Sequence, residues 1–375
     1  MKILVTGAKG FVGKNLVAML KVKGYTEIYQ YDLDTDPTLL DVFTQDCDFV
    51  FHLAGINHSK DPNAFMKCNY DFTKTLLESL KKNDNKASVL ITSTIQAVVD
   101  NPYGRSKKAG EELLLAYQKE TRAQVLICRL PTLFGKWCRP NHNSIIATLC
   151  HNVAHGIPIN ISNPYVELNF AYIDDVVAAF IIYLTDGNCS QPSEADSGSS
   201  YYTVQPFYTY QLHEVIKMLN SFKESRTNNT IPDMTDQFAK KLYSTYLSYL
   251  PTDQFIYPLK MNAEKRGSLT EFIRTPGRGM VSVDISKPGY STGNHWHNTR
   301  CGKFLVVSGT GIIRFRRVDQ EEILEYRLSG DKLEAVDIPP GYTHSIENLG
   351  DTDLVTIMWV NEPMDPEHPD IHLEV

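Results

Sequence analysis

Tyr103 and Lys107 stand four residues apart, a spacing that puts a phenol and an ammonium on one face of a helix. An ammonium stabilises a nearby phenolate, so the pair predicts a Tyr103 pKa lowered toward neutrality and a group able to exchange a proton with an alcohol or a carbonyl. The run Thr92-Ser93-Thr94 precedes the pair, and a hydroxyl such as Thr94 is suited to hold the oxygen being protonated. An ordinary amphipathic helix with an exposed lysine is the alternative. The stretch that favours chemistry is Met1 to Gly13, MKILVTGAKGFVG, where an apolar run reaches a turn with Gly7, Gly10 and Gly13 and a helix follows through Leu16, Val17 and Leu20. Such a turn needs glycine for its tightness, for close approach of backbone to a pyrophosphate and for packing of helix on strand, with the helix N-terminus facing the phosphates.

A second group of side chains lies in the last third. In Gly289-x5-His295-Trp296-His297 the two histidines are two apart, so on a strand both imidazoles point to one side and meet one cation. His344 follows Pro339-x-Gly341 and is the third candidate ligand. Three histidines packed for structural or acid/base purposes are the other reading. His151 and His155, one helical turn apart without a third ligand, read as surface histidines.

The elements that must position these groups alternate. Strands at Glu27 to Tyr31, Asp48 to Leu53, Ser88 to Ser93 and Gln124 to Arg129 are separated by helices around Asn63 to Leu80 and Tyr103 to Glu120, which predicts an α/β Rossmann-type, doubly wound parallel sheet with ligand at the carboxyl ends of its strands. Asp32, about 20 residues past the glycines, falls where such a fold sets an acid on the adenosine ribose. Two helical segments between Gln211 and Leu250 lead to Pro251. Short strands punctuated by turns such as Pro288-Gly289 and Ser308-Gly-Thr-Gly311 then predict an all-β barrel or sandwich, with a boundary near Leu250 and domains at 1–250 and 251–375.

The bulk numbers exclude some partners. The 375 residues carry 42% apolar and 22% charged side chains and a net charge of -7, an acidic balance from which neither nucleic acid nor an anionic membrane would gain. Seven cysteines without framework spacing, with no signal peptide and no long apolar run, predict a reducing, cytoplasmic setting. The most polar loops are Thr185 to Ser200 and Lys223 to Asp236.

Over about residues 1 to 250 the chain resembles the extended short-chain dehydrogenase/reductase family. The matching residues are Thr6-Gly7-x-x-Gly10-x-x-Gly13, His52-Leu53-Ala54-Gly55, Asn69, Ser93-Thr94, Tyr103 with Lys107, Arg129-Leu130-Pro131 and Tyr172-Ile173-Asp174-Asp175-Val176. The resemblance implies a nicotinamide dinucleotide held by Gly7, Lys9, Gly10, Phe11, Val12, Gly13, Asp32, Leu53, Ala54, Gly55 and Leu130 together with Tyr103 and Lys107. It also implies Tyr103 as catalytic acid/base, Lys107 on the nicotinamide ribose and Thr94 on the substrate oxygen. Asp32 favours NADH, whereas Lys9 sits where NADPH-dependent members carry a base for the 2'-phosphate; NADPH is the preferred reading and NADH the alternative. Members that are sugar 4,6-dehydratases have Asp-Glu after the threonine, and Ile95-Gln96 here argues against dehydration. Only eight residues separate Thr94 from Tyr103, which implies a more open substrate pocket. In the segment corresponding to the family's nucleotide-sugar contacts, Lys136 and Arg139 are candidates for a diphosphate, with solvated surface the equal alternative.

The two histidine motifs resemble those of cupins, whose histidines bind a divalent metal. The pattern's glutamate ligand is replaced by Gly302, so three histidines with water or Cys301 remain, and Zn2+ suits imidazole ligands best. Arg266-Gly-x-Leu-x-Glu271 resembles a segment lining deoxysugar epimerase cupins, and Arg266, Lys303, Arg314 and Tyr342 are further candidates for substrate. A reductase followed by a cupin, joined through Leu242 to Pro251 and finishing in Trp359-Val-Asn-Glu362 and Pro369-Asp370, resembles the bifunctional capsular polysaccharide synthesis enzymes of bacteria. That resemblance implies C3 epimerisation of a UDP-4-keto-6-deoxy-N-acetylhexosamine in the cupin and then NADPH reduction at C4. The product would be UDP-2-acetamido-2,6-dideoxy-L-talose, on the way to UDP-N-acetyl-L-fucosamine. The rival expectation is a single-reaction reductase whose cupin serves dimerisation and sugar binding. A homodimer is the default, since cupin barrels commonly pair.

Overall fold

The first strand of the chain is Ile3–Thr6 (β1), every residue of which is buried, as expected of a strand covered on both faces. In the computed structural model, which describes residues 1–186, 201–363, 367 and 369–373, it is followed by α1 (Phe11–Val22), β2 (Ile28–Tyr31), α2 (Thr38–Asp46) and β3 (Phe49–His52). Next come α3 (Pro62–Phe65), a π turn (Met66–Asp71), α4 (Phe72–Lys82), β4 (Ser88–Thr94), a 3-10 turn (Ile95–Val98) and α5 (Pro102–Thr121). The remaining elements of this region are β5 (Val125–Leu130), β6 (Thr132–Phe134), α6 (Ile145–His155), β7 (Glu167–Tyr172), α7 (Ile173–Asp186), β8 (Tyr201–Tyr202), β9 (Tyr208–Gln211), α8 (Leu212–Ser225) and α9 (Gln237–Leu247). Residues 187–200, the main part of the polar loop read from the sequence, lie outside the described residues.

The main sheet has the order β2-β1-β3-β4-β5-β8, and all its pairings are parallel. The chain order reverses between β1 and β3, so a crevice opens outside their carboxyl ends, where such folds place a ligand. One face is packed through Leu16, Leu20, Phe51, Val176 and Phe180, the other through Leu76, Leu80, Leu114 and Ile127. A three-stranded sheet, β6-β7-β9, accompanies it.

Met1–Asn220 and Thr235–Pro251 form one compact unit, and Ser221–Met234 with Thr252–Val375 form another. The strands of the second are β10 (Met261–Glu264), β11 (Gly267–Thr275), β12 (Gly279–Ser286), β13 (Ser291–Trp296), β14 (Gly302–Ser308), β15 (Thr310–Arg317), β16 (Ile323–Ser329), β17 (Ala335–Ile338), β18 (Tyr342–Asn348), β19 (Leu354–Val360) and β20 (His372–Leu373). They make two antiparallel sheets, β10-β11-β12-β19-β14-β17 and β16-β15-β18-β13-β20. Phe304, Val306 and Ile338 of one meet Ile313, Phe315 and Ile346 of the other in a shared core, the architecture of a cupin-like barrel. No helix among the described residues is long and apolar enough to cross a membrane.

Candidate active sites

In the first unit, the turn after β1 is built around missing side chains. Gly7 has φ +68°, and a Cβ there would stand 2.7 Å from the Ala54 nitrogen; a Cβ on Gly13 would stand 2.1 Å from the Gly7 oxygen. Glycine therefore lets the turn touch the end of β3 and lets α1 close onto it. Gly10 caps α1 without a side-chain hydrogen bond, so the first amides of the helix remain for a ligand. A cleft of about 1500 Å³ opens there, lined by Gly7, Lys9, Gly10, Phe11, Val12, Gly13, Asp32, Leu53, Ala54, Gly55, Leu130, Thr94, Tyr103, Lys107 and Arg139. Lys136 does not line it. That side chain binds Asp174 at 2.5 Å and lies 5.4 Å from the centre of the Trp137 ring.

At the adenosine end, Asp32 accepts the backbone N–H of Lys9 at 2.7 Å and that of Leu33 at 2.8 Å. The Lys9 ammonium is paired with Asp34, a residue the sequence reading passed over. At the other end, the Lys107 ammonium donates to the Thr92 carbonyl at 2.9 Å. Gly55 makes room for it, since a Cβ there would lie 3.3 Å from Lys107 Nζ and 2.7 Å from Asn69 Oδ1. Desolvation lowers the Lys107 pKa to about 8, opposed by the charge of Glu111.

The expectation that Lys107 lowers the Tyr103 pKa is corrected here. Burial raises the phenol above its ordinary value, and the opposing pull comes from the Thr94 hydroxyl. The ammonium is committed to the end of β4, so four-residue spacing brings the two groups to one cleft without letting one tune the other.

A buried polar chain ties the strand ends to the helices that carry these groups. His52 bridges Thr6 Oγ1 and Thr73 Oγ1, each at 2.8 Å, and burial lowers its pKa to about 3, so it is neutral. Thr73 donates to the Asn69 carbonyl at 2.7 Å, and Asn69 Nδ2 donates to Ser106 Oγ at 2.9 Å. Asn69 sits in the π turn, whose wider winding re-aims its side chain at the cleft wall. Thr73 and Ser106 carry no local signal in the sequence.

In the second unit, a bulge between Gly293 and His295 sets His295 directly opposite His344 on the neighbouring strand. The ring centres of His295, His297 and His344 are separated by 4.9, 4.7 and 5.6 Å, and their ligating atoms lie within 4.8 Å of one another. No cysteine or carboxylate among the described residues joins them, so Cys301 is not part of the cluster. Burial lowers all three pKa values, that of His344 to about 3, which leaves neutral imidazoles with free lone pairs. His297 Nδ1 bonds the Asp370 carbonyl, so its Nε2 is the free nitrogen, and His344 Nδ1 is buried without a partner. This donor set fits a divalent cation. Gly302 cannot be replaced by the missing glutamate, since its Cβ would lie 2.8 Å from the Trp359 carbonyl.

The other cupin candidates are not brought to the histidines. Arg266 pairs with Glu264 at 2.8 Å, in the turn between β10 and β11. Lys303 pairs with Asp337 and alternates with the inward Phe304. Arg314 alternates with the buried Phe315, binds Glu325 at 2.7 Å and Glu347 at 2.5 Å, and faces away.

The family described as NAD dependent epimerase/dehydratase matches residues 3–195 of this chain. The chain belongs to this family. Residues 262–372 match the polysaccharide biosynthesis C-terminal domain. A Pseudomonas aeruginosa protein named UDP-2-acetamido-2,6-beta-L-arabino-hexul-4-ose reductase is 39% identical over 372 residues, covering 99% of this chain and 98% of its own. The crystal structure of the capsular polysaccharide assembling protein CapF from Staphylococcus aureus superposes with a TM-score of 0.93 at 49% identity, with 100% of each chain covered. A second CapF structure, with the inhibitor 3-isopropenyl-tropolone, gives 0.89 at 46% identity, again over 100% of both chains. The family implies a nicotinamide cofactor, and the chain is CapF-like along its whole length.

Proposed function

We propose that this chain is a bifunctional nucleotide-sugar enzyme of capsular polysaccharide synthesis. Its cupin epimerises C3 of a UDP-4-keto-6-deoxy-N-acetylhexosamine, and its Rossmann unit then reduces the C4 ketone with NADPH to give UDP-2-acetamido-2,6-dideoxy-L-talose. The observation that carries the reading is the cleft holding Thr94, Tyr103 and Lys107 in a chain alike, end to end, to a protein named for reduction of a UDP-hexul-4-ose. The order follows from chemistry. A C3 proton is acidic only while C4 is a ketone, so epimerisation must precede hydride transfer.

A nicotinamide bound in the cleft would supply hydride. Tyr103 gives its phenolic proton to the oxygen at C4, the Thr94 hydroxyl holds that oxygen, and Lys107 binds the ribose. The amides of the glycine turn and of α1 hold the pyrophosphate. His295, His297 and His344 would hold a divalent cation, Zn2+ by ligand type, whose charge would favour an enolate. Metal analysis should find about one Zn2+ per chain, reduced below a tenth in His297→Ala; equal content in both would overturn the site.

Proton NMR in D2O without NADPH tests the first step. Deuterium should enter at C3 and should fail to enter with His344→Ala. Exchange absent from the wild-type protein, with NADPH still consumed, would favour a single-reaction reductase, the reading that the glycine at position 302 favours.

NADPH is preferred through Lys9, with Asp34 competing for its ammonium. Asp34→Ser should tighten NADPH binding about threefold without changing that of NADH, the scale of an exposed ion pair. Lys9→Ala should weaken NADPH about tenfold. Equal effects on the two cofactors would sink the assignment.

A further inference from the structure

The loop after β6 holds a tryptophan in a backbone conformation that tryptophan rarely adopts. Trp137 has φ +67°, in the left-handed region. Among the described residues, the other non-glycine positions with positive φ are asparagines, Asp84 and Arg122. Asparagine and aspartate visit that region by bonding local backbone, and Arg122 closes α5 as a left-handed residue does at a helix C-terminus. A bulky aromatic residue in a loop has neither reason, so its conformation costs free energy that the surroundings must offset.

The neighbouring residues are fastened on both sides. Gly135, with φ +144°, is pressed onto α7, where a Cβ would stand 2.3 Å from Ile173 Cγ2. The Lys136 carbonyl accepts from Asn15 Nδ2 of α1 at 3.3 Å, and the Lys136 ammonium binds Asp174 at 2.5 Å. Beyond the tryptophan, the Cys138 carbonyl accepts the Tyr249 hydroxyl at 2.5 Å, and Cys138 itself is buried. What this frame presents is the indole, 53% exposed on the wall of the cleft. The interior does not use it. Phe134 fills the core and packs on Phe238 with ring centres 5.4 Å apart, whereas Trp137 joins the apolar cluster on neither face of the main sheet. A large aromatic held at a cost and left half in water is a surface for a ligand.

The cleft, at about 1500 Å³, exceeds the roughly 300–1,000 Å³ that one bound ligand fills, so cofactor and sugar nucleotide have room together. Those ligands offer adenine, nicotinamide and uracil as flat rings. Adenine belongs at the Asp32 end and nicotinamide beside Tyr103 and Lys107, which leaves uracil for the indole. Arg139 and Asn141 follow on the same wall and carry donors of the kind that a diphosphate and the uracil carbonyls accept from.

We propose that Trp137 is the stacking platform for the uracil ring of the UDP-sugar, fixing the far end of the substrate while Thr94 and Tyr103 act at C4. The inference rests on the reading of the chain as a UDP-sugar reductase. A stack on the base is equally strong before and during hydride transfer, so it acts on affinity and not on the limiting rate.

The test is calorimetry of UDP, and separately of NADPH, on wild type, Trp137→Ala, Trp137→Phe and Trp137→Gly in the full chain. UDP binding should weaken about thirtyfold in Trp137→Ala and stay within about threefold of wild type in Trp137→Phe, with NADPH binding unchanged in both, the scale of one base stacked on an aromatic ring. In NADPH-dependent reduction the KM for the UDP-sugar should rise in Trp137→Ala while kcat stays within about twofold. UDP should quench the fluorescence of wild type, and the quenching should be lost in Trp137→Phe. Trp137→Gly should lose UDP binding as Trp137→Ala does without lowering the denaturation midpoint, because glycine accepts the left-handed backbone. UDP binding by Trp137→Ala within about threefold of wild type, equal weakening of UDP and NADPH, a fall in kcat at unchanged KM, or a lower midpoint in Trp137→Gly would overturn the proposal. Wild-type protein that binds NADPH but no UDP would instead overturn the UDP-sugar reading beneath it.

Discussion

Tyr103→Phe is expected to lower NADPH-dependent reduction of the 4-keto sugar about a thousandfold while NADPH binding stays within about twofold, the scale of losing a positioned general acid. The ring packs near Phe65, with centroids 5.8 Å apart, and phenylalanine preserves that contact. What is removed is the proton. Because burial raises the Tyr103 pKa, the phenol is protonated throughout the neutral range and needs no ionised neighbour to serve as acid in reduction. A variant retaining more than a tenth of wild-type turnover would remove Tyr103 from the chemistry. Lys107 adds a pH dependence. Its ammonium, with a pKa lowered to about 8, loses charge as pH rises, so interactions that need the cation are present below that value and lost above it. The kcat/KM for reduction should therefore decline above about pH 8. A profile flat to pH 10 would show that the charge of Lys107 does not matter.

What was legible in the sequence was whatever local spacing encodes. The glycine turn, the Tyr103–Lys107 pair and the alternation of strands and helices each sit within a few residues, and each has one dominant steric cause. The histidines at 295 and 297 could be read from strand alternation, although a bulge, not the regular strand, sets His295 opposite His344. Partners set by tertiary packing were not legible. Asp34 neutralises Lys9 from 25 residues away, and Asp370, although part of a recognisable motif, holds the 298–300 turn from 71 residues beyond Thr299, a partnership that no local spacing marks. The basic residues chosen in the barrel, Arg266, Lys303 and Arg314, stand beside recognisable motifs, and the structure gives each of these three a carboxylate. The direction of the Tyr103 pKa was missed because spacing places Lys107 on the right helix face but says nothing of the Thr92 carbonyl that claims its ammonium.

Glu111 shows how much of the cleft's rigidity lies in such a partnership. It is one turn beyond Lys107 on α5, its side chain 1% exposed, and it accepts Arg129 Nε at 2.9 Å, Arg129 Nη2 at 2.6 Å and Ser93 Oγ at 2.5 Å. The Arg129 guanidinium also lies 4.4 Å from the centre of the Tyr201 ring. One carboxylate thus joins α5 to the carboxyl ends of β4 and β5, immediately before Thr94 and Leu130. Glu111→Ala would leave the Ser93 hydroxyl unpaired and the Arg129 charge largely desolvated, at a cost of about 3 kcal/mol. Far-UV circular dichroism reads this directly, because nearly all the helix belongs to the Rossmann unit. Its denaturation midpoint should fall while the Zn2+ content proposed for the barrel is unchanged. The double variant Glu111→Leu with Arg129→Leu should recover part of the loss, since breaking a buried pair costs more than replacing it with apolar side chains. If Glu111→Ala lost less than about 1 kcal/mol, the ion pair would be an ordinary surface contact. If the single and double variants were equally destabilised, the cost would lie in packing around α5 and not in the stranded charge.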